Sequence, residues 1–116
     1  MGTHFDEQIR KVTTYLAQAL NPERIILFGS HAYGQPAADS DVDLLIVMDS
    51  AERPAARAAR VSRLLRPRPF PVDILVRTPQ EIEYRLEIGD EFVREILERG
   101  KVLYDRDISG GVDTQS

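Results

Sequence analysis

Two aspartates two residues apart, Asp41 and Asp43, stand at the head of an apolar run ending at Met48, and a third, Asp73, sits inside another, Pro71 to Val76. Side chains of an extended strand alternate between faces, so Asp41 and Asp43 point the same way and aim two carboxylates at one region of space. An unpaired carboxylate buried within Val72-Asp73-Ile74-Leu75-Val76 costs several kcal/mol or a large upward pKa shift, so Asp73 calls for compensation. If the two runs are neighbouring strands, Asp73 lies beside Asp43. Three clustered carboxylates repel one another unless a divalent cation joins them. The chain has no Cys, so any metal is held by oxygen or His, and oxygen ligands favour a hard cation such as Mg²⁺. The plain alternative for Asp41 and Asp43 alone is a loop acid next to a capping acid.

Gly29-Ser30 supplies a complementary half. Ile25 to Phe28 is a short apolar run that stops at Gly29, as a strand feeding a tight turn would. Glycine lets a backbone approach a phosphate closely, and the N–H groups opening a following helix attract anions. Ser30 adds a hydroxyl for a phosphate oxygen. On its own, Gly-Ser is a tight turn; beside three carboxylates it is half of a nucleoside triphosphate site.

The elements that must position these residues follow from periodicity. Phe5, Ile9, Val12, Leu16 and Leu20 recur at helical spacing and predict an amphipathic helix over Phe5 to Leu20, ended by Asn21-Pro22. His31 to Tyr33 makes one or two helical turns before Gly34-Gln35-Pro36, and the loop Ala37 to Ser40 leads to the strand Val42 to Met48. Pro54 to Leu65 reads as a second amphipathic helix, with Ala55, Ala58, Val61 and Leu65 inward and Arg53, Arg57, Arg60 and Arg63 outward. Thr78-Pro79-Gln80-Glu81 has the form of a capping box, so a helix begins there, with Ile82, Leu86 and Tyr84 as its candidate buried contacts. Gly89 breaks it, and Asp90 to Arg99 forms a last helix with Phe92, Val93, Ile96 and Leu97 inward, stopped by Gly100. Val102 to Tyr104 adds an edge strand. The result is one α/β (α+β) domain over residues 1–104, a small sheet with helices packed on it, followed by a disordered tail from Asp105 to Ser116.

At 116 residues and 42% hydrophobic, the chain builds one core but has little left for a second substrate pocket. It lacks a run of the ~20 apolar residues that a membrane span needs, and its start lacks a signal-peptide layout, so a cytoplasmic protein is the expectation. A formal net charge of −4 argues against a dedicated nucleic-acid binder, which carries a basic surplus. The charge is uneven: six Arg and no acid lie between Arg53 and Arg68, whereas acids dominate Glu81 to Glu98. Such runs are usually solvated helix faces. His31, Tyr33 and Arg24 flank the motif: His31 reads as a solvent-facing turn residue before a phosphate contact, Tyr33 as a packing or base-stacking residue, and Arg24 as an exposed strand start or a counter-charge.

The stretch GSHAYGQPAADSDVD fits the pattern Gly-Ser, ten residues, Asp-x-Asp, and resembles the signature of the polymerase-β-like nucleotidyltransferase superfamily. With Asp73 and the small size, the chain resembles a minimal nucleotidyltransferase, the type found as antitoxin partner of HEPN-domain toxins. The resemblance runs from Arg24 to Asp73 by motif and more loosely to Tyr104. It implies the nucleotidyltransferase fold, built on a small mixed sheet. It implies that Gly29 and Ser30 hold the triphosphate of ATP, that Asp41 and Asp43 ligate two Mg²⁺ ions, and that Asp73 ligates the catalytic metal and helps deprotonate the attacking hydroxyl. The expected activity is transfer of AMP to a Tyr, Ser or Thr hydroxyl of a HEPN-type partner, with homo-oligomerisation left open. Two alternatives stand beside it: an antitoxin that acts by masking alone, and nucleotidyl transfer to a small molecule such as an aminoglycoside.

Overall fold

The structure, a computed structural model, describes residues 3–36 and 40–107, with side chains from Asp6 onward. Most of the loop before Ser40, the side chain of Phe5 and the tail beyond Asp107 fall outside the described residues.

Nine elements follow in order: α1 (Thr3–Leu20), β1 (Arg24–Phe28), α2 (Ser30–Tyr33), β2 (Val42–Val47), α3 (Pro54–Leu64), β3 (Val72–Arg77), α4 (Pro79–Glu87), α5 (Glu91–Arg99) and β4 (Lys101–Asp105). The strands form one sheet in the order β3-β2-β1-β4. β1 pairs antiparallel with β2 and β4, while β2 and β3 run parallel, joined through α3. A mixed α+β fold with helices on a four-stranded sheet is therefore what the chain adopts. Parallel neighbours need a crossover connection, and α3 with its flanking turns supplies one.

The sheet is apolar on both faces because helices cover both. On one face Ile25, Leu27, Val42, Leu44 and Ile46 meet Ile9, Val12 and Leu16 of α1 and Val61 of α3. On the other, Ile26, Phe28, Leu45 and Val47 meet Ile82 of α4 and Val93 and Ile96 of α5. Strand alternation explains the division. The central strands consequently read as continuous apolar runs rather than alternating ones. Gly100 lets the end of α5 come down onto β1, since a Cβ there would run into Ile96 O, the Ile26 side chain and Leu27 O. The predicted capping box is present: Thr78 Oγ1 accepts from Glu81 N, and Glu81 Oε1 accepts from Thr78 N. Asp90 caps α5 by accepting from Phe92 N and Val93 N.

Several predicted orientations are corrected. Arg57, read as outward-facing, is 3% exposed, and Ala55, read as inward, is exposed. Arg57 Nε donates to Glu52 O, Nη1 to Val76 O and Glu81 Oε1, and Nη2 to Glu81 Oε2. In a parallel pair alternate carbonyls point away from the partner strand, and Val72 O and Val76 O of the edge strand β3 are of this kind. Arg68 donates to the first, Arg57 and Arg77 to the second. Part of the arginine run thus covers a sheet edge that would otherwise be open to other strands. In α4 only Ile82 of the three candidates is buried, Tyr84 and Leu86 facing out, and Phe92 of α5 is half exposed.

Candidate functional site

β1 ends at Phe28, and the chain reverses through Gly29 into α2. Gly29 has φ 76° and ψ −156°, a region essentially closed to residues with a Cβ. The Gly29 carbonyl accepts from Ala32 N and Tyr33 N, at 3.0 Å each, closing a single helical turn that begins at Ser30. No side-chain cap occupies the start of α2. Because α2 has only four residues, its macrodipole is small, and any attraction for an anion comes from local N–H groups and the Ser30 hydroxyl.

β2 returns beside β1 with Asp43 opposite Phe28, and β3 joins in parallel with Asp73 beside Asp43. Both carboxylates share strand parity with Leu45, Val47 and Leu75, which places them on the sheet face covered by α4 and α5. The backbone register therefore brings Asp43 and Asp73 together, with Asp41 two residues upstream. Asp73 is exposed, and Asp41 too. The premise that Asp73 is buried and needs compensation is corrected: it stands at the uncovered end of an edge strand, and the crowding falls on Asp43. Burial pushes the Asp43 carboxyl up from its ordinary value, the charges of Asp73 and then Asp41 push it further, and His31 opposes them.

Gly29 packs directly against that carboxylate; a Cβ on Gly29 would clash with Asp43 Oδ2. The turn and the acid are thus fitted to one another, and no side chain can intervene between them. Gly29→Ala introduces both the forbidden φ and this clash, so we expect it to lower stability by about 1–3 kcal/mol and to displace Asp43. Denaturant unfolding checks the first effect, and a nucleotidyl-transfer assay the second.

The donor chemistry fits a hard divalent cation, since all three groups are carboxylates and the most crowded of them gains most from a counter-charge. Among the described residues, no three His, Asp or Glu side chains already converge into a ligand set. An open arrangement of this sort suits Mg²⁺, which is ordinarily held by one or two carboxylates with water and substrate phosphate completing its shell.

The flanking residues resolve differently. His31 is half-buried, and its Nε2 donates to Ser40 O at 3.2 Å, tying α2 to the residues just before β2; it is not the solvent-facing side chain expected. Arg24 sits at the far end of β1 from Gly29, about 17 Å away at the ordinary strand rise, and is thereby removed as a phosphate counter-charge. Tyr33 packs into the core under α5, and the Arg99 guanidinium lies 4.6 Å from its ring centroid. Phe92 was expected inside; its ring meets Phe28 edge-on, centroids 5.8 Å apart and planes at 82°, leaving it 53% exposed. Val93 and Ile96 fill the buried side of α5, and Phe92, two residues after the Asp90 cap, lies off that stripe.

Opposite this face, a groove of about 380 Å³ runs between α1 and β4, lined in part by Arg10, Thr13, Lys101 and Tyr104. It is separated from the three aspartates by the sheet. No helix among the described residues is long and apolar enough to cross a membrane.

Comparison with known proteins agrees with this fold. The family model described as "Polymerase beta, Nucleotidyltransferase" matches residues 10–109. Among solved structures, a Sulfolobus solfataricus protein provisionally designated a nucleotidyltransferase superposes with a TM-score of 0.63 over 87% of this chain and 80% of that one, at 21% identity. No curated protein sequence matches the chain. At that identity the structural likeness speaks for the fold, while the family match spans the turn, the strands and all three aspartates.

Proposed function

Since the chain belongs to the polymerase β nucleotidyltransferase family, we propose that it transfers AMP from ATP to a hydroxyl of a partner protein, and that it is the antitoxin of a HEPN-type toxin. The observation that carries the chemistry is the parallel register of Asp43 with Asp73, formed against the Gly29 turn and two residues from Asp41. In this reading Gly29 and Ser30 hold the triphosphate, Asp41 and Asp43 hold two Mg²⁺, and Asp73 holds one of them. Two such ions, when bound, neutralise charge on the attacking, bridging and leaving oxygens of an in-line displacement. The acceptor oxygen bonds to the α-phosphorus as the α–β bridging bond breaks; pyrophosphate leaves, and Asp73 takes the hydroxyl proton. Gly29 keeps Asp43 in contact with the turn, so phosphate and carboxylates are registered to one another before substrate arrives.

An acceptor from outside is favoured by the surface around the site. Tyr84, Leu86 and Ile88 are large apolar residues exposed on α4 and the turn that follows it, on the side of the sheet that carries the aspartates. An apolar stretch on that side suits a docked protein better than a small polar acceptor. The HEPN partnership rests on the resemblance of the motif and the small domain.

The test is incubation of the complex with ATP labelled at the α-phosphate and Mg²⁺, followed by intact mass of the co-expressed neighbouring protein. The expected result is a gain of one or more AMP units, absent with Asp41→Asn/Asp43→Asn. If the double variant still neutralises the partner while no label is transferred by the parent protein, masking replaces transfer as the function.

A further inference from the structure

We propose that Phe92 is the platform on which the nucleobase of the incoming nucleotide stacks, an inference that rests on the nucleotidyl-transfer reading above. Phe92 belongs to the first turn of α5, a nine-residue helix fixed at its start by the Asp90 cap and along its length by buried Val93 and Ile96. Its ring is steadied by edge-on contact with Phe28. Phe28 is 8% exposed, precedes Gly29 in the chain, and stands opposite Asp43 in the antiparallel pair. Phe92 is therefore one ring contact and one cross-strand step from the carboxylate at the centre of the site.

A half-exposed phenylalanine is not unusual by itself. What distinguishes this one is that its position is fixed by three independent restraints while more than half its surface is left uncovered beside a charged site. An edge-to-face contact uses one edge of the exposed ring or of its partner, leaving aromatic surface for another group. The remainder of the site is carboxylates, a glycine turn and a serine, which engage phosphate and metal but offer a base nothing apolar. Phe92 supplies that missing surface. Having no hydrogen-bonding atom, it binds a base through its π-face and does not read the base's edge.

The test compares ATP with inorganic tripolyphosphate, which has the phosphates and lacks the nucleoside. Binding of each in the presence of Mg²⁺ is measured by calorimetry for the parent protein, Phe92→Ala, and Phe92→Tyr, with thermal unfolding of each variant recorded alongside. Phe92→Ala is expected to weaken ATP binding by roughly 5- to 100-fold and to leave tripolyphosphate binding unchanged, while Phe92→Tyr keeps both. Equal weakening of both ligands, or unchanged ATP affinity in the alanine variant, overturns the proposal and leaves nucleotidyl transfer standing. Loss of transfer to the partner protein with ATP binding intact also overturns it, assigning Phe92 to the acceptor instead. A parent protein that binds neither ligand sinks the nucleotidyl-transfer reading together with this one.

Discussion

Asp43→Asn is expected to abolish nucleotidyl transfer, by about 10³-fold or more, and at the same time to raise the melting temperature of the ligand-free protein. The two effects have one origin. Asp43 carries the crowding of the cluster: burial and the charges of Asp73 and Asp41 all raise its carboxyl pKa, so its negative charge is a liability until a cation arrives. Asparagine keeps the shape and one carbonyl oxygen but removes the repulsion, which should lift Tm by roughly 1–4 °C. It also removes the charge that binds the ion and offsets phosphate in the transition state, and metal sites of this type contribute several kcal/mol through charge alone. Calorimetric melting without Mg²⁺, paired with turnover of α-labelled ATP, reads both. A variant that melts lower than the parent, or that keeps a tenth of its activity, contradicts the assignment. Adding Mg²⁺ and ATP should narrow or reverse the Tm difference, because only the parent gains stability by binding.

The largest stability effect is expected at Arg57. Its side chain is 4% exposed and paired with Glu81 through two bonds of 2.8 Å, while Glu81 retains 34% exposure. Arg57→Met should cost about 2–4 kcal/mol and lower Tm by roughly 10 °C. Removing the guanidinium takes the side-chain donor from Glu52 O, leaves Val76 O with Arg77 alone, and strips Glu81 of its partner. The figure stays below the upper range for fully buried pairs, because Glu81 can rehydrate once released. Arg57→Lys should recover only part, since an ammonium cannot reproduce the fork. The pair also sets an acid limit. Hydrogen bonding to Arg57 lowers the Glu81 pKa from 4.5 to about 2, and the Thr78 backbone bond adds to this against the upward push of burial. A depressed folded pKa means this stabilisation is complete above the unfolded value near 4.5 and is lost as pH falls from there toward 2. Urea midpoints of the parent should therefore drop across that window more steeply than those of Arg57→Met. Equal pH dependence in the two would show that the pair does not act this way.

The sequence by itself determined the strands, the turn between them, the capping box at Thr78 and the chemical types in the site. Those are local properties: Gly29 terminates one apolar run, and Asp41 and Asp43 stand two residues apart at the head of another. It also specified a condition, that Asp73 meets Asp43 if β2 and β3 are neighbours. Only the tertiary structure decided that condition, since parallel pairing depends on how α3 crosses between the strands and no local pattern sets strand order. Burial was likewise decided in three dimensions. Asp73 sits in an apolar run yet is exposed, because β3 is an edge strand and its start is left uncovered. Arg57 sits in a basic run yet is buried, because Glu81 and two backbone carbonyls, contributed by segments 5 to 24 residues away, converge on it. Phe92 fits a helical apolar stripe yet faces out, because Val93 and Ile96 already fill the space over β1. In each case side-chain type was legible from composition and spacing, while its surroundings came from segments distant in the chain.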